Sequence, residues 1–184
     1  MKYVSCDTET TGLHNRGPHA ILQISLVVED TNEIRPIEEL PCLNLIVKHK
    51  NVVGEPYALA MNHWLLDIIA GRTECPKTFK LIEPEELSGE IHDFLDEHLG
   101  QDNRANFAGK NFASFDIDFL PPSVQNRVRH RVIDPAILFV DWEEDATLPN
   151  LGLVKNRAAL GDEVTHDAYE DAMDVIEVLR TQYT

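Results

Sequence analysis

Three runs rich in β-branched and apolar residues occupy the first quarter of the chain, and they limit its fold more than any other feature. Residues 1–6 alternate Tyr3 and Ser5 with Val4 and Cys6. Ala20 to Glu29 and Cys42 to Lys48 are apolar and bounded by turn formers, which is the pattern of strands. Together they predict a three-stranded antiparallel start. The period then changes. Pro56 to Ala70 places Leu59, Trp64, Leu65 and Ile68 at helical spacing and ends at Gly71, so a helix is expected there. A second helix is expected from about Pro84 to Leu99, with Leu87, Ile91, Phe94, Leu95 and Leu99 as its apolar stripe and Gly100 as its stop. Arg104 to Gly109 and Arg131 to Asp134 read as short strands. Asp167 to about Gln182 reads as a helix with Ala168, Ala172, Val175 and Leu179 on its core face. Strands first, then helices alternating with strands, give an α/β or α+β fold: a mixed sheet flanked by helices. A length of 184 residues without internal repeats or an interior linker fits one domain over residues 1–184.

The longest apolar stretch, Ile21 to Val28, is broken by Gln23 and Ser25 and is too short to span a bilayer. The N-terminus lacks a signal-peptide pattern, so no membrane partner is expected. Three cysteines, Cys6, Cys42 and Cys75, show no CxxC spacing; this points to a reducing cytoplasm and away from zinc or disulfide frameworks. The net charge is −16, from 32 acidic against 16 basic residues. A protein that grips long duplex DNA carries a basic surface. Such acidity serves solubility, or else metal ions supply positive charge locally to a short or single-stranded substrate. Charge alone leaves both readings standing.

Three acidic constellations carry the chemistry. In Cys6-Asp7-Thr8-Glu9-Thr10-Thr11-Gly12-Leu13, strand parity projects Asp7 and Glu9 from one face. Two adjacent carboxylates repel unless a cation shares them, and an oxygen-rich site suits Mg²⁺ or Mn²⁺. An exposed acidic strand end would show the same spacing. In Asn111-Phe112-Ala113-Ser114-Phe115-Asp116, a helix with Phe115, Phe119 and Leu120 facing inward is expected. Asp116 then lies in an apolar run where an unpaired carboxylate is costly, and Asp118 is turned about 200° away from it. In His166-Asp167-Ala168-Tyr169-Glu170-Asp171, Asp171 falls beside the apolar stripe of the last helix. Asp174 is expected on the opposite, solvated face with Glu170, Glu177 and Thr181. His166 lies just before this helix, within swing of the same pocket, although a histidine there also serves as a cap.

Taken in order, DTETTGL at 7–13, NFASFD at 111–116 and HDAYED at 166–171 resemble the three exonuclease motifs of the DEDD superfamily. The histidine places the resemblance in its DEDDh branch, which includes polymerase proofreading subunits, RNase T and oligoribonuclease. The resemblance runs from residue 7 to about 180 and implies a ribonuclease H-like fold with a mixed five-stranded sheet flanked by helices. It implies a 3′–5′ exonuclease releasing nucleoside 5′-monophosphates from single-stranded DNA or RNA. Asp7, Glu9, Asp116 and Asp171 would hold two divalent metal ions, Mg²⁺ or Mn²⁺. Neutral His166 would act as general base. Thr10, Gly12 and Leu13 match positions that seat the 3′-terminal nucleotide, and Asn111 and Phe115 match pocket-lining positions. Asp134 matches a further acidic position and reads as structural or as a support behind the residues that line the site. The partner implied is a single-stranded or short nucleic acid with a free 3′ end, and a homodimer is compatible with the family. There are departures: oligoribonucleases usually carry Glu-Met-Thr-Gly where this chain has Glu9-Thr10-Thr11-Gly12, and the basic gripping segments of RNase T and the polymerase-binding extension of proofreading subunits have no counterpart. The alternative is a catalytically silent exonuclease fold that binds nucleic acid or a protein partner.

Overall fold

The computed structural model describes residues 1–13, 17–101 and 103–184. Its centre is a five-stranded sheet in the order β4-β3-β2-β1-β5. The strands are β1 (Lys2–Thr10), β2 (Ile21–Asp30), β3 (Cys42–Val47), β4 (Lys80–Ile82) and β5 (Phe107–Ala108). The first three are antiparallel neighbours as the sequence predicts, while β4 and β5 run parallel to β3 and β1. Seven helices flank the sheet among the described residues: α1 (Pro56–Met61), α2 (His63–Ile69), α3 (Leu87–Leu99), α4 (Asp116–Phe119), α5 (Pro122–Gln125), α6 (Leu151–Arg157) and α7 (Ala168–Arg180). None is long and apolar enough to cross a membrane.

Strand parity sorts the core into two layers. Val4 and Cys6 of β1 and Ile24, Leu26 and Val28 of β2 face Ile91, Phe94 and Leu95 of α3. Tyr3 and Val27 point the other way and pack with Ala172, Val175, Ile176 and Leu179 of α7. Under α7 the sheet also carries buried polar residues, and these fix where the helix sits. Gln23 Nε2 donates to Asp167 Oδ1 at 3.0 Å at the start of α7, and Arg180 Nε donates to Glu29 Oε2 at 2.7 Å at its end. With a buried side-chain partner at each end, a slide of one turn along β2 would strand charged groups away from water.

Three elements differ from the sequence reading for identifiable reasons. The helix expected over Pro56–Ala70 is broken at Asn62 (φ −91°, ψ 23°), which is buried and turns its amide toward β1, donating to Thr10 O at 3.3 Å. The strand expected over Arg131–Asp134 contracts to one bridge, Ala108 with Ile133. Asp134 caps a 3₁₀ turn that begins at Pro135, so the extended segment ends there. Phe115 does not enter the core. A 3₁₀ turn over Phe112–Ser114 shifts the helical phase, so Phe112 is fully buried, stacking on Phe107 at 5.1 Å, and Phe115 is half-buried at the surface of a cleft.

Candidate active site

Tyr3 of β1 faces α7, so by parity Asp7 and Glu9 project to that same side. They meet Asp171, which lies one turn into α7 and is buried. Glu9, His166 and Asp171 each offer a ligand atom within 4.8 Å of the others. Thr8, of opposite parity, donates its hydroxyl to Asp116 Oδ1 at 2.6 Å. It thereby tethers the carboxylate of α4 at the end of the sheet. Asp7, Glu9, Asp116, Asp171 and His166 all line one cleft of about 640 Å³. Thr10, Gly12, Leu13, Asn111 and Phe115 line it too, with Leu13 64% exposed and so open to a ligand. A second lobe of about 760 Å³ opens on the other side of Asp7, Asp171 and His166, walled by Asn150, Leu151, Gly152 and Leu153 of the α6 turn and by Asp162 and Val164.

Local backbone explains several positions. His166 has φ 54° and Asn111 φ 61°, left-handed conformations that His and Asn tolerate better than most residues. Gly12 lies flat against the His19 ring, where a Cβ would come within 2.6 Å of Nδ1. Gly109 allows the end of β5 to approach β1 just before Asp7, since a Cβ there would lie 2.6 Å from Cys6 O. Asp134 serves the scaffold: Oδ1 accepts from Ala136 N and Oδ2 from Asn111 N, at 2.9 and 3.0 Å.

The electrostatics of the cluster are unfavourable as it stands. Burial, then the neighbouring carboxylates Asp116, Asp171 and Glu9, hold Asp7 well above the ordinary carboxylate range. Burial pushes Glu9 up to about 8 against an opposing Asn62 hydrogen bond. Burial likewise raises Asp116 to about 6, opposed by Thr8, and Asp171 to about 7, with Asp174 adding to the rise. Asp171 Oδ1 is buried and has no hydrogen-bond partner. An orphaned carboxylate oxygen beside raised acids is the donor set a hard divalent cation fits.

A consequence for stability follows from these directions. Glu9, Asp116 and Asp171 bind protons more tightly folded than unfolded, so their contribution is full below about pH 4 and is lost as pH rises through 6 to 8. In EDTA, the melting temperature of the wild type is expected to fall more steeply from pH 5 to pH 8 than that of Glu9→Gln. Parallel curves would show that the cluster is not under strain.

Some contributors escaped the sequence reading. Asn62 was signalled only by an amide inside an apolar helical run, where such residues are disfavoured. Lys110 lies between β5 and the turn before Asp116 and lines both lobes. Asp174 is not on a solvated face. Three residues along a helix is only about 60° around it, and α6 crosses this flank, so Lys155 Nζ meets Asp174 Oδ2 at 2.5 Å.

No protein-family model and no curated protein sequence matches the chain. Solved structures do. The nuclease domain of 3′hExo, described as a DEDDh family member bound to rAMP, superposes with TM-score 0.62 at 13% identity, covering 97% of this chain and 89% of that one. Cell-death related nuclease 4 gives TM-score 0.63 at 13% identity over 97% of this chain and 62% of its own. A 3′-exonuclease described in 3′-end specific recognition of a histone mRNA stem-loop gives 0.61 at 11% identity, covering 98% and 80%. The mixed five-stranded sheet with its flanking helices is therefore the ribonuclease H-like fold of the DEDDh-family 3′-exonuclease nuclease domains.

Proposed function

We propose that residues 1–184 form a single exonuclease domain that hydrolyses phosphodiester bonds one nucleotide at a time from the 3′ end of single-stranded DNA or RNA. The observation that carries this reading is the convergence of Asp7, Glu9, Asp116, Asp171 and His166 on one cleft of this fold. Asp7, Glu9, Asp116 and Asp171 are the residues that would hold two divalent ions, Mg²⁺ or Mn²⁺. Bound there, such ions supply Lewis acidity, a nucleophilic water at neutral pH and charge for the leaving oxygen. The protein's own part is positioning and proton transfer. Thr10, Gly12, Leu13, Asn111 and Phe115 seat the terminal nucleotide, and Thr10 Oγ1 stiffens that wall by donating to Gly12 O at 2.8 Å. His166, exposed at the junction of the two lobes, takes the proton from the attacking water and hands it to solvent. The product is a nucleoside 5′-monophosphate, and the shortened strand keeps a free 3′ hydroxyl.

A gel assay with 5′-labelled single-stranded DNA and RNA in Mg²⁺ or Mn²⁺ tests this. A ladder receding from the 3′ end that disappears in EDTA is expected; no cleavage with either metal rejects the proposal in favour of a silent binding module. His166→Ala is expected to slow turnover by roughly 10²–10⁴-fold while leaving the metal-induced rise in melting temperature intact. Unchanged turnover would remove His166 from the mechanism.

A further inference from the structure

Lys110 is half-buried and lines both lobes of the cleft, together with Asp7, His166 and Asp171. Its side chain is 11% exposed, and its ammonium is oriented by two neighbours. Nζ donates to Asn111 Oδ1 at 2.6 Å and lies 3.8 Å from Asp134 Oδ2. An ammonium carries three N–H donors, so these contacts fix its direction without exhausting it. Asp134 is itself committed, accepting from Asn111 N and Ala136 N. The close approach of Gly109 to Cys6 O and the left-handed turn at Asn111 hold Lys110 at this spot, next to the strand end that carries Asp7.

The position has a chemical consequence in so acidic a chain. On the exonuclease reading, a strand whose last nucleotide sits against Leu13 and Phe115 would carry its scissile phosphate over the carboxylates and continue into the lobe walled by Asn150, Gly152 and Leu153. Its phosphodiester would then lie at the junction between the lobes, which Lys110 borders. We propose that Lys110 is a phosphate-binding residue of this cleft, its ammonium contacting the phosphodiester that links nucleotides seated in the two lobes. The proposal rests on the exonuclease reading above. Asn111 and Asp134 are positioning residues that aim the ammonium.

The test compares wild type, Lys110→Met, Lys110→Arg and the remote surface control Lys77→Met, on a 5′-labelled single-stranded 12-mer. Cleavage is read in Mg²⁺, and binding in Ca²⁺ by fluorescence anisotropy over a range of salt. A charge-assisted hydrogen bond to phosphate corresponds to about a 10–100-fold effect. Lys110→Met is therefore expected to lower kcat/KM by that factor, mainly through KM, with Lys110→Arg recovering most of it and Lys77→Met unchanged. The slope of log affinity against log salt is expected to become shallower by about 0.7 in Lys110→Met, the value for one contact to a single strand. An unchanged slope, or a loss that merely tracks a lowered melting temperature, overturns the proposal and leaves Lys110 as scaffold. A wild type that binds but does not cleave rejects the exonuclease reading alone, since the salt slope still reports on Lys110. One that does neither rejects both.

Discussion

Asp7→Asn is expected to abolish metal-dependent cleavage, by roughly 10³-fold or more, and at the same time to raise the thermal stability of the metal-free protein. The two effects have one cause. Asp7 projects from the middle of the cleft wall and borders both lobes. Its charge is opposed by burial first, and then by Asp116, Asp171, Glu9 and Asp167. Asparagine keeps the shape and removes the charge, so the repulsion falls while the oxygen set a divalent ion needs loses an anion. A residue conserving the fold behaves in the opposite way, losing stability and activity together. Steady-state cleavage in Mg²⁺ and melting curves in EDTA at pH 8 decide the matter. Retention of more than a tenth of the activity, or a lower metal-free melting temperature, contradicts this account. In Mg²⁺ the order of stabilities should narrow or reverse, because ligand binding stabilises the folded wild type by mass action.

Much of this site is legible in the sequence because it rests on period. Alternation in β1 puts Asp7 and Glu9 on one face whatever the rest of the chain does, and the stripe of Ala168, Ala172, Val175 and Leu179 sets the phase of α7 around Asp171. Period fails where a segment is too short to show its repeat more than once. β4 has three residues and β5 two, so neither shows alternation, and both are held by parallel pairing to strands already in place. Phe112, not Phe115, enters the core because one 3₁₀ turn shifts helical phase, which composition does not reveal. Asn62 lies far in sequence from Thr10, to which it donates, and Lys110 lies far from Asp7, whose cleft it lines. Their positions follow from the break between α1 and α2 and from the close approach at Gly109. The surroundings of Asp174 are not legible because α6, seven residues long, is too short a pattern to show that a helix covers that flank of α7.

That flank carries the largest expected effect on stability. Asp174→Ala should destabilise the protein by about 3 kcal/mol, the lower end for breaking a buried ion pair by deleting one partner. For a chain of this size the melting temperature should fall by roughly 6–12 °C. Lys155 is 8% exposed, and its ammonium donates to Asp174 Oδ2 and, at 2.7 Å, to Glu163 O. Removing Asp174 leaves the ammonium with a carbonyl but without its ion-pair partner. The replacement Lys155→Met with Asp174→Leu removes both charges and keeps apolar volume, so it should recover most of the loss; a double variant no more stable than Asp174→Ala would show that packing, not charge, holds the flank. The pair also joins three pieces of the site. Lys155 is on α6, which walls the second lobe. Glu163 lies on the segment leading to His166, and Asp174 is on α7 one turn beyond Asp171. Below its melting temperature Asp174→Ala should therefore keep cleavage within about tenfold of wild type, because the carboxylates and His166 remain. Asp171→Ala should lose it like Asp7→Asn. Equal losses in the two would mean that Asp174 touches the reaction rather than the scaffold.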